Sequence, residues 1–286
     1  MALLRILIRA GFRFSRHRGG TMAAALSYYG LFSLFPLLLL LALLAAAVEP
    51  GEGFRRALAD LVRLYVPTSE AVVATGLERL RDLRGQLGAV GGLGLLWAGS
   101  GVFTVLAGAL DQVWERNEHL PLLRRRALGL VTLLATVAAL FLAALLSLGV
   151  GALLREALSR AGLGGLGGRT AGLLLTVLPP LLVWGALAAL YHFLPGGEPP
   201  FGDVWPGALV AALGVEALRY GFALYAARLA HFHAVYGSLA AGVLLLFWIY
   251  LLSVVVLFGA EVAAAYGRWR RGETEEAEGP RWLLRL

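Results

Sequence analysis

Cysteine and lysine are both missing from this 286-residue chain, and charge of either sign is scarce, with only 15% of residues ionisable as Asp, Glu, Lys or Arg. Without cysteine there is no disulfide, thiol nucleophile, thiolate zinc site or iron–sulfur cluster. Without lysine there is no Schiff-base amine and no phosphate-gripping P-loop lysine. The shortage of charge excludes more. A soluble domain needs roughly a quarter of its residues charged to cover its surface, so neither a water-soluble globule nor a disordered chain fits. What is present instead is 59% hydrophobic residues and a mean hydropathy of +0.76. Such a chain belongs in a bilayer.

A spanning helix needs about 20 apolar residues, because each residue rises about 1.5 Å through roughly 30 Å of hydrocarbon. Six stretches satisfy this, at about 22–48, 87–113, 127–154, 170–194, 205–229 and 234–266. The expected fold is therefore an all-α integral membrane protein, a bundle of six transmembrane helices. The basic stretch 1–20 precedes an apolar core far longer than the roughly 7–15 residues of a cleaved signal peptide, so the core is read as a retained first span. Arg5, Arg9, Arg13 and Arg16 recur at helical spacing among Leu4, Ile6, Ile8, Phe12 and Phe14. Two readings of 1–20 stand: a basic amphipathic helix on an anionic cytoplasmic leaflet, or an orientation signal alone.

All 25 basic residues are Arg, and the net charge is +7. With six spans and an internal N-terminus, fourteen Arg fall inside and nine outside, which favours both termini in the cytoplasm. That arrangement explains the basic balance without nucleic acid. The first outer loop, 49–86, carries two amphipathic helical patterns separated by Pro67-Thr68-Ser69. These cap the bundle or lie on the outer leaflet. Residues 268–286, with four Glu near Gly279-Pro280, read as a solvated cytoplasmic tail.

Several motifs reduce to plain roles. Gly162, Gly164 and Gly167 match G-x-G-x-x-G, but no strand precedes them, and they read as a flexible connector between spans. His231 and His233 have no carboxylate close in sequence and read as interfacial. Glu115, Glu118 and His119 read as a solvated loop rather than a nuclease centre. No metal site and no cofactor is expected. In the second span, Gly88–Gly92 and Gly94–Ala98 are small-xxx-small steps that suit close helix packing. Pro36 in the first span and Pro179-Pro180 in the fourth each remove helix hydrogen bonds. Freed carbonyls need partners in protein or water, and Tyr29 and Ser33 precede Pro36. Both an ordinary kink and an interrupted-helix substrate site fit there.

The sharpest feature is Glu216 with Arg219. Counted from Trp205, they lie about 16 and 21 Å into the fifth span, where a lone charge is expensive. At i and i+3 they share a helical face and can pair, with Tyr220 one turn from Glu216. One reading is a structural pair that fixes helix rotation. The other is a polar lining for a headgroup or an ion path.

Five blocks in order resemble the YihY / virulence factor BrkB family, once labelled ribonuclease BN-like. They are A-L-S-Y-Y-G-L-F-S-L-F-P (25–36), Y-H-F-L-P (191–195), W-P-G-A-L (205–209), Y-G-S-L-A-A (236–241) and F-G-A-E (258–261). Tyr236, Gly237, Ser238 and Glu261 belong to the last two. Asp111 stands where many relatives of that family carry Asn. The resemblance implies a six-helix bacterial inner-membrane protein with an envelope role.

Taken together, these readings lead to a non-enzymatic membrane protein that transports or flips a lipid or other amphiphile. Its candidate substrate site is Glu216, Arg219, Tyr220, Tyr29, Ser33, Pro36 and Pro179. Expected partners are membrane lipids and an amphiphilic substrate, with envelope proteins or a second copy of the chain as further candidates and no nucleic acid. The alternatives are a structural or assembly partner of envelope proteins and, remotely, a ribonuclease.

Overall fold

The computed structural model describes residues 2–47, 94, 96–115, 127–132, 134, 164–196, 199–228 and 233–273. Among them there is no strand. Six helices are α1 (Ala2–Arg16), α2 (Gly19–Ala47), α3 (Gly101–Val113), α4 (Gly164–Phe193), α5 (Phe201–Arg228) and α6 (His233–Arg270), with shorter helical pieces at 96–99 and 127–132. Three segments are long and apolar enough to cross a membrane: Leu96–Val113, Phe201–Phe222 and Gly242–Arg270. A shorter apolar stretch covers Pro180–Phe193. The outer loop 49–86, and with it Gly88 and Gly92, lies outside the described residues.

The architecture centres on α6, which packs against α5, α2, α1 and α3, while α5 packs in turn against α4. Hydrophobic burial is a weak discriminator between lipid and helix, so small residues set these contacts. A Cβ on Gly207 would collide with the Gly259 carbonyl and with Ala263, and one on Gly259 would meet Ala211 at 2.5 Å. The W-P-G-A-L and F-G-A-E blocks are thus two sides of one α5–α6 backbone contact. Higher up, Gly214 admits Val255, and Gly30 of α2 admits Ile249. Tyr191 of α4 is fully buried, and its hydroxyl donates to the Val256 carbonyl at 2.5 Å.

Helix α1 docks on α6 through Ile6 and Ala10, which pack with Val262 and Ala265. Leu4 and Phe12 remain exposed on its other side. The amphipathic pattern of 1–20 therefore serves two faces, one of them covered by protein. Helix α6 stops in a Schellman motif: Glu273 N–H reaches the Arg268 carbonyl, Gly272 N–H reaches Trp269, and Gly272 takes φ 68°. Residues 268–270, read as part of the tail, belong to the helix, which runs to Arg270.

The prolines do not end their helices, and one stretch expected to be a connector is partly helical. Helix α2 runs through Pro36, and α4 runs through Pro179 and Pro180, without interruption. The glycine run read as a connector is in part helical, since α4 begins at Gly164 and includes Gly167. A helical glycine costs only about 1 kcal/mol relative to alanine, too little to stop a helix by itself.

Candidate functional site

Glu216 and Arg219 sit near the middle of α5, about 22 and about 27 Å from its start by helical rise. Helix α5 turns Val215 and Phe222 inward and leaves Leu213, Tyr220 and Leu224 more than 60% exposed. The pair occupies the boundary between these faces, with the Glu216 side chain 15% and the Arg219 side chain 22% exposed. Arg219 donates from Nε at 2.9 Å and from Nη2 at 2.6 Å, both to Oε2 of Glu216. Nη2 also donates to the Tyr220 hydroxyl at 3.1 Å, and the guanidinium lies 4.6 Å from the Tyr220 ring centroid. Acid, base and aromatic ring thus form one group, and all three belong to a single turn and a half of helix.

The other members of the expected set do not join this group. Ser33 of α2 is buried, and its hydroxyl donates to the Ala98 carbonyl at 3.2 Å while accepting from the Val102 N–H at 3.4 Å. These are the two groups that an uninterrupted helix would join directly. The serine is inserted into the ladder, and the helix is interrupted by a turn at Ser100. Tyr29 lies beside it, 3.5 Å from where a Cβ on Gly101 would stand. Ser33 therefore satisfies a break in the neighbouring helix, not one in its own. Gly94 would meet nothing within 4 Å among the described residues if given a Cβ, and Ala98 is exposed. Tyr236, Gly237 and Ser238 lie in the first turns of α6, with side chains outside the described residues. Pro36 is buried in α2, and the side chain of Pro179 is outside the described residues.

A second charged region gathers where α1, α3 and α6 end and α5 begins. Glu261, 1% exposed, receives His17 Nδ1 at 2.6 Å and has Arg13 Nε at 3.6 Å. Glu115, half exposed, sits 2.8 Å from Arg13 Nη2, 2.9 Å from Arg16 Nη2 and 3.4 Å from His17 Nε2. Burial on its own would raise the Glu115 carboxyl, but Arg13, Arg268, Arg16 and His17 together hold it below the usual carboxylate value. Beside this cluster the buried Asp203, in the first turn of α5, pairs with Arg270 at 2.8 Å and Arg271 at 2.6 Å. Asp111 accepts the Gly196 N–H at 2.9 Å and so pins the turn after α4. Arg13 was read only as part of a basic amphipathic pattern, and His17 and Asp203 were not singled out by sequence reasoning. Their partners lie up to 244 residues away, and only the blocks holding Glu261 and Gly207 pointed toward this end.

A family model described as Virulence factor BrkB matches residues 11–283. A UPF0761 membrane protein of Rhodospirillum centenum is 30% identical over 273 residues, covering 95% of this chain and 59% of its own length. A UPF0761 membrane protein of Alkalilimnicola ehrlichii is 34% identical over 278 residues, covering 96% of this chain and 61% of its own length. UPF0761 membrane protein YihY of Salmonella typhimurium is 30% identical over 225 residues, 76% of this chain and 73% of that protein. The chain thus spans about three fifths of the length of the first two relatives. No solved structure matches it.

Proposed function

This chain belongs to the Virulence factor BrkB family, and from that premise we propose that it is a bacterial inner-membrane protein that moves or positions an amphiphile, a lipid or lipid-linked molecule of the envelope, without catalysing a covalent reaction. The observation that carries this reading is the Glu216–Arg219–Tyr220 group at the edge of the exposed face of α5. Leu209, Leu213, Tyr220 and Leu224 mark that face at helical spacing, all at least 40% exposed. An amphiphile needs an apolar track for its chains and a polar stop for its headgroup, and this face supplies both. A hydrated ion would need a continuous polar lining instead.

In this reading six spans cross the membrane and both termini are cytoplasmic. The charged end formed by Arg13, Arg16, Glu115, Asp203, Arg270 and Arg271 then lies at the inner surface. Exposed Leu4, Phe12 and Trp269 beside Arg5, Arg16, Arg18 and Arg271 suit that interface, where basic residues meet anionic lipid. Pro36 of α2 and Pro179 of α4 are the places where the bundle gives to admit a headgroup. Purified protein in liposomes tests this by the movement of fluorescent lipid between leaflets. Faster movement than in protein-free vesicles is expected; none for any envelope lipid, with or without partner proteins, would contradict it.

A further inference from the structure

His17 follows the last residue of α1, at the corner where Arg18 takes φ 54° and α2 begins. Its ring is buried between two carboxylates that come from two other elements. Nδ1 lies 2.6 Å from Oε1 of Glu261 on α6, and Nε2 lies 3.4 Å from Oε1 of Glu115, just past the end of α3. An ionised carboxylate only accepts hydrogen bonds, whereas a neutral imidazole carries one donor and one acceptor. A neutral ring therefore serves one of these contacts and turns a lone pair toward the other oxygen. Serving both takes one more proton. Placed on Nδ1, it makes the ring an imidazolium that donates on both sides. Placed on the Glu261 oxygen, it is donated to Nδ1 while Nε2 donates to Glu115. The count is the same in either placement, so the proton belongs to the three groups together.

We propose that His17, Glu261 and Glu115 form a proton-binding site, and that the proton it holds at neutral pH fastens the end of α1 to α6 and to the end of α3. This inference is independent of the reading of the protein as a handler of amphiphiles. The half-exposed Glu115 joins the buried ring to water and gives the proton its way in and out. The other charges facing the site come from α1 and α6. Arg13 and Arg268 act on both carboxylates, and Arg16 acts on Glu115. They hold the Glu115 carboxyl below its usual value, which keeps it ionised and accepting. Gln112 adds a neutral contact, from its amide to the His17 carbonyl at 3.5 Å.

The apolar part of the α1–α6 contact is small, with Ile6 and Ala10 against Val262 and Ala265, so the end of α1 depends on its polar ties. The arginines keep their charge through the whole physiological range, and histidine is the side chain that titrates within it. The docked end binds one proton more than a released one, so docking is favoured as pH falls and weakened as pH rises.

The chain has no cysteine, so spin labels introduced at the exposed positions Ser15 of α1 and Trp269 of α6 are unique. Their separation is measured in the full chain in vesicles from about pH 5 to about pH 9. With no other change, the distance is expected to hold steady up to neutral pH and to lengthen in one proton-linked step above it. Glu115→Gln removes the outer carboxylate and with it the need for a proton on Nε2, so the step should move down by about one pH unit. His17→Gln should abolish the step. Because Glu115 is half exposed, its variant decides the matter even if the buried His17 variant fails to fold. A distance that does not change with pH in the labelled parent, or a step at the same pH in Glu115→Gln, would overturn the proposal.

Discussion

The two charged regions of this molecule are built in opposite ways. Where α1, α3 and α6 end, Glu261 reaches His17 across 244 residues of chain, and Arg16 reaches Glu115 across 99. Helices α1, α3, α5 and α6 are tied there by charges that are in several cases almost fully buried. In the middle of α5, by contrast, the ion pair joins residues three apart on one helix. A buried charge pays a desolvation cost wherever it sits. In the multi-helix cluster the charges link separate helices, whereas on α5 the pair links two residues of one helix.

That contrast can be broken in order of expected effect. Replacing Glu261 by Ala removes the buried carboxylate that Arg13 and His17 share, and loss of one partner from such a cluster costs about 3–5 kcal/mol. SDS-induced unfolding in mixed micelles should show a large loss of stability, and an unchanged midpoint would deny the cluster its structural role. Gly259→Val comes next. Its side chain would enter the space held by Ala211 and the Gly207 carbonyl, and overpacking typically costs about 1–3 kcal/mol. The same unfolding measurement should place it between the Glu261 variant and the wild type. Ser33→Ala should cost about 1 kcal/mol or less, because the Ala98 carbonyl and Val102 N–H it now bridges can move toward each other. Hydrogen exchange at Val102 reports whether that ladder closes.

The smallest effect concerns pH. The Glu115 carboxyl is lowered in the fold, so its contribution is complete above the ordinary value of 4.5 and is lost as pH falls through the lower folded value. A spin-label distance between α1 and the end of α3 should therefore stay constant from neutral pH down to about 4.5 and lengthen only below it. Lengthening at neutral pH would mean that Glu115 does not carry the tie.

How much of this was legible beforehand follows from the range of each interaction. Apolar runs the length of a bilayer announced the membrane helices, because length and hydropathy are local properties. Glu216 and Arg219 were legible for the same reason, since three residues of α-helix bring them to one face. The multi-helix charged cluster was not. Nothing in a linear sequence registers His17 against Glu261, and Glu115 looked like loop charge until Arg13 and Arg16 were seen beside it. Gly207 and Gly259 were visible as members of motif blocks, but their mutual contact depends on the register between α5 and α6. Ser33 was noticed for its nearness to Pro36. Its use, inside the neighbouring helix's ladder, is a tertiary fact.

The most direct test separates the α5 pair from the fold. Glu216 and Arg219 are replaced together by Gln, and the purified variant is compared with the wild type for SDS-induced unfolding and for lipid movement between vesicle leaflets. The expected result is an unfolding midpoint close to wild type with transbilayer movement reduced to the protein-free rate. A variant that moves lipid as fast as the wild type would show that the acid and base on α5 serve the helix alone.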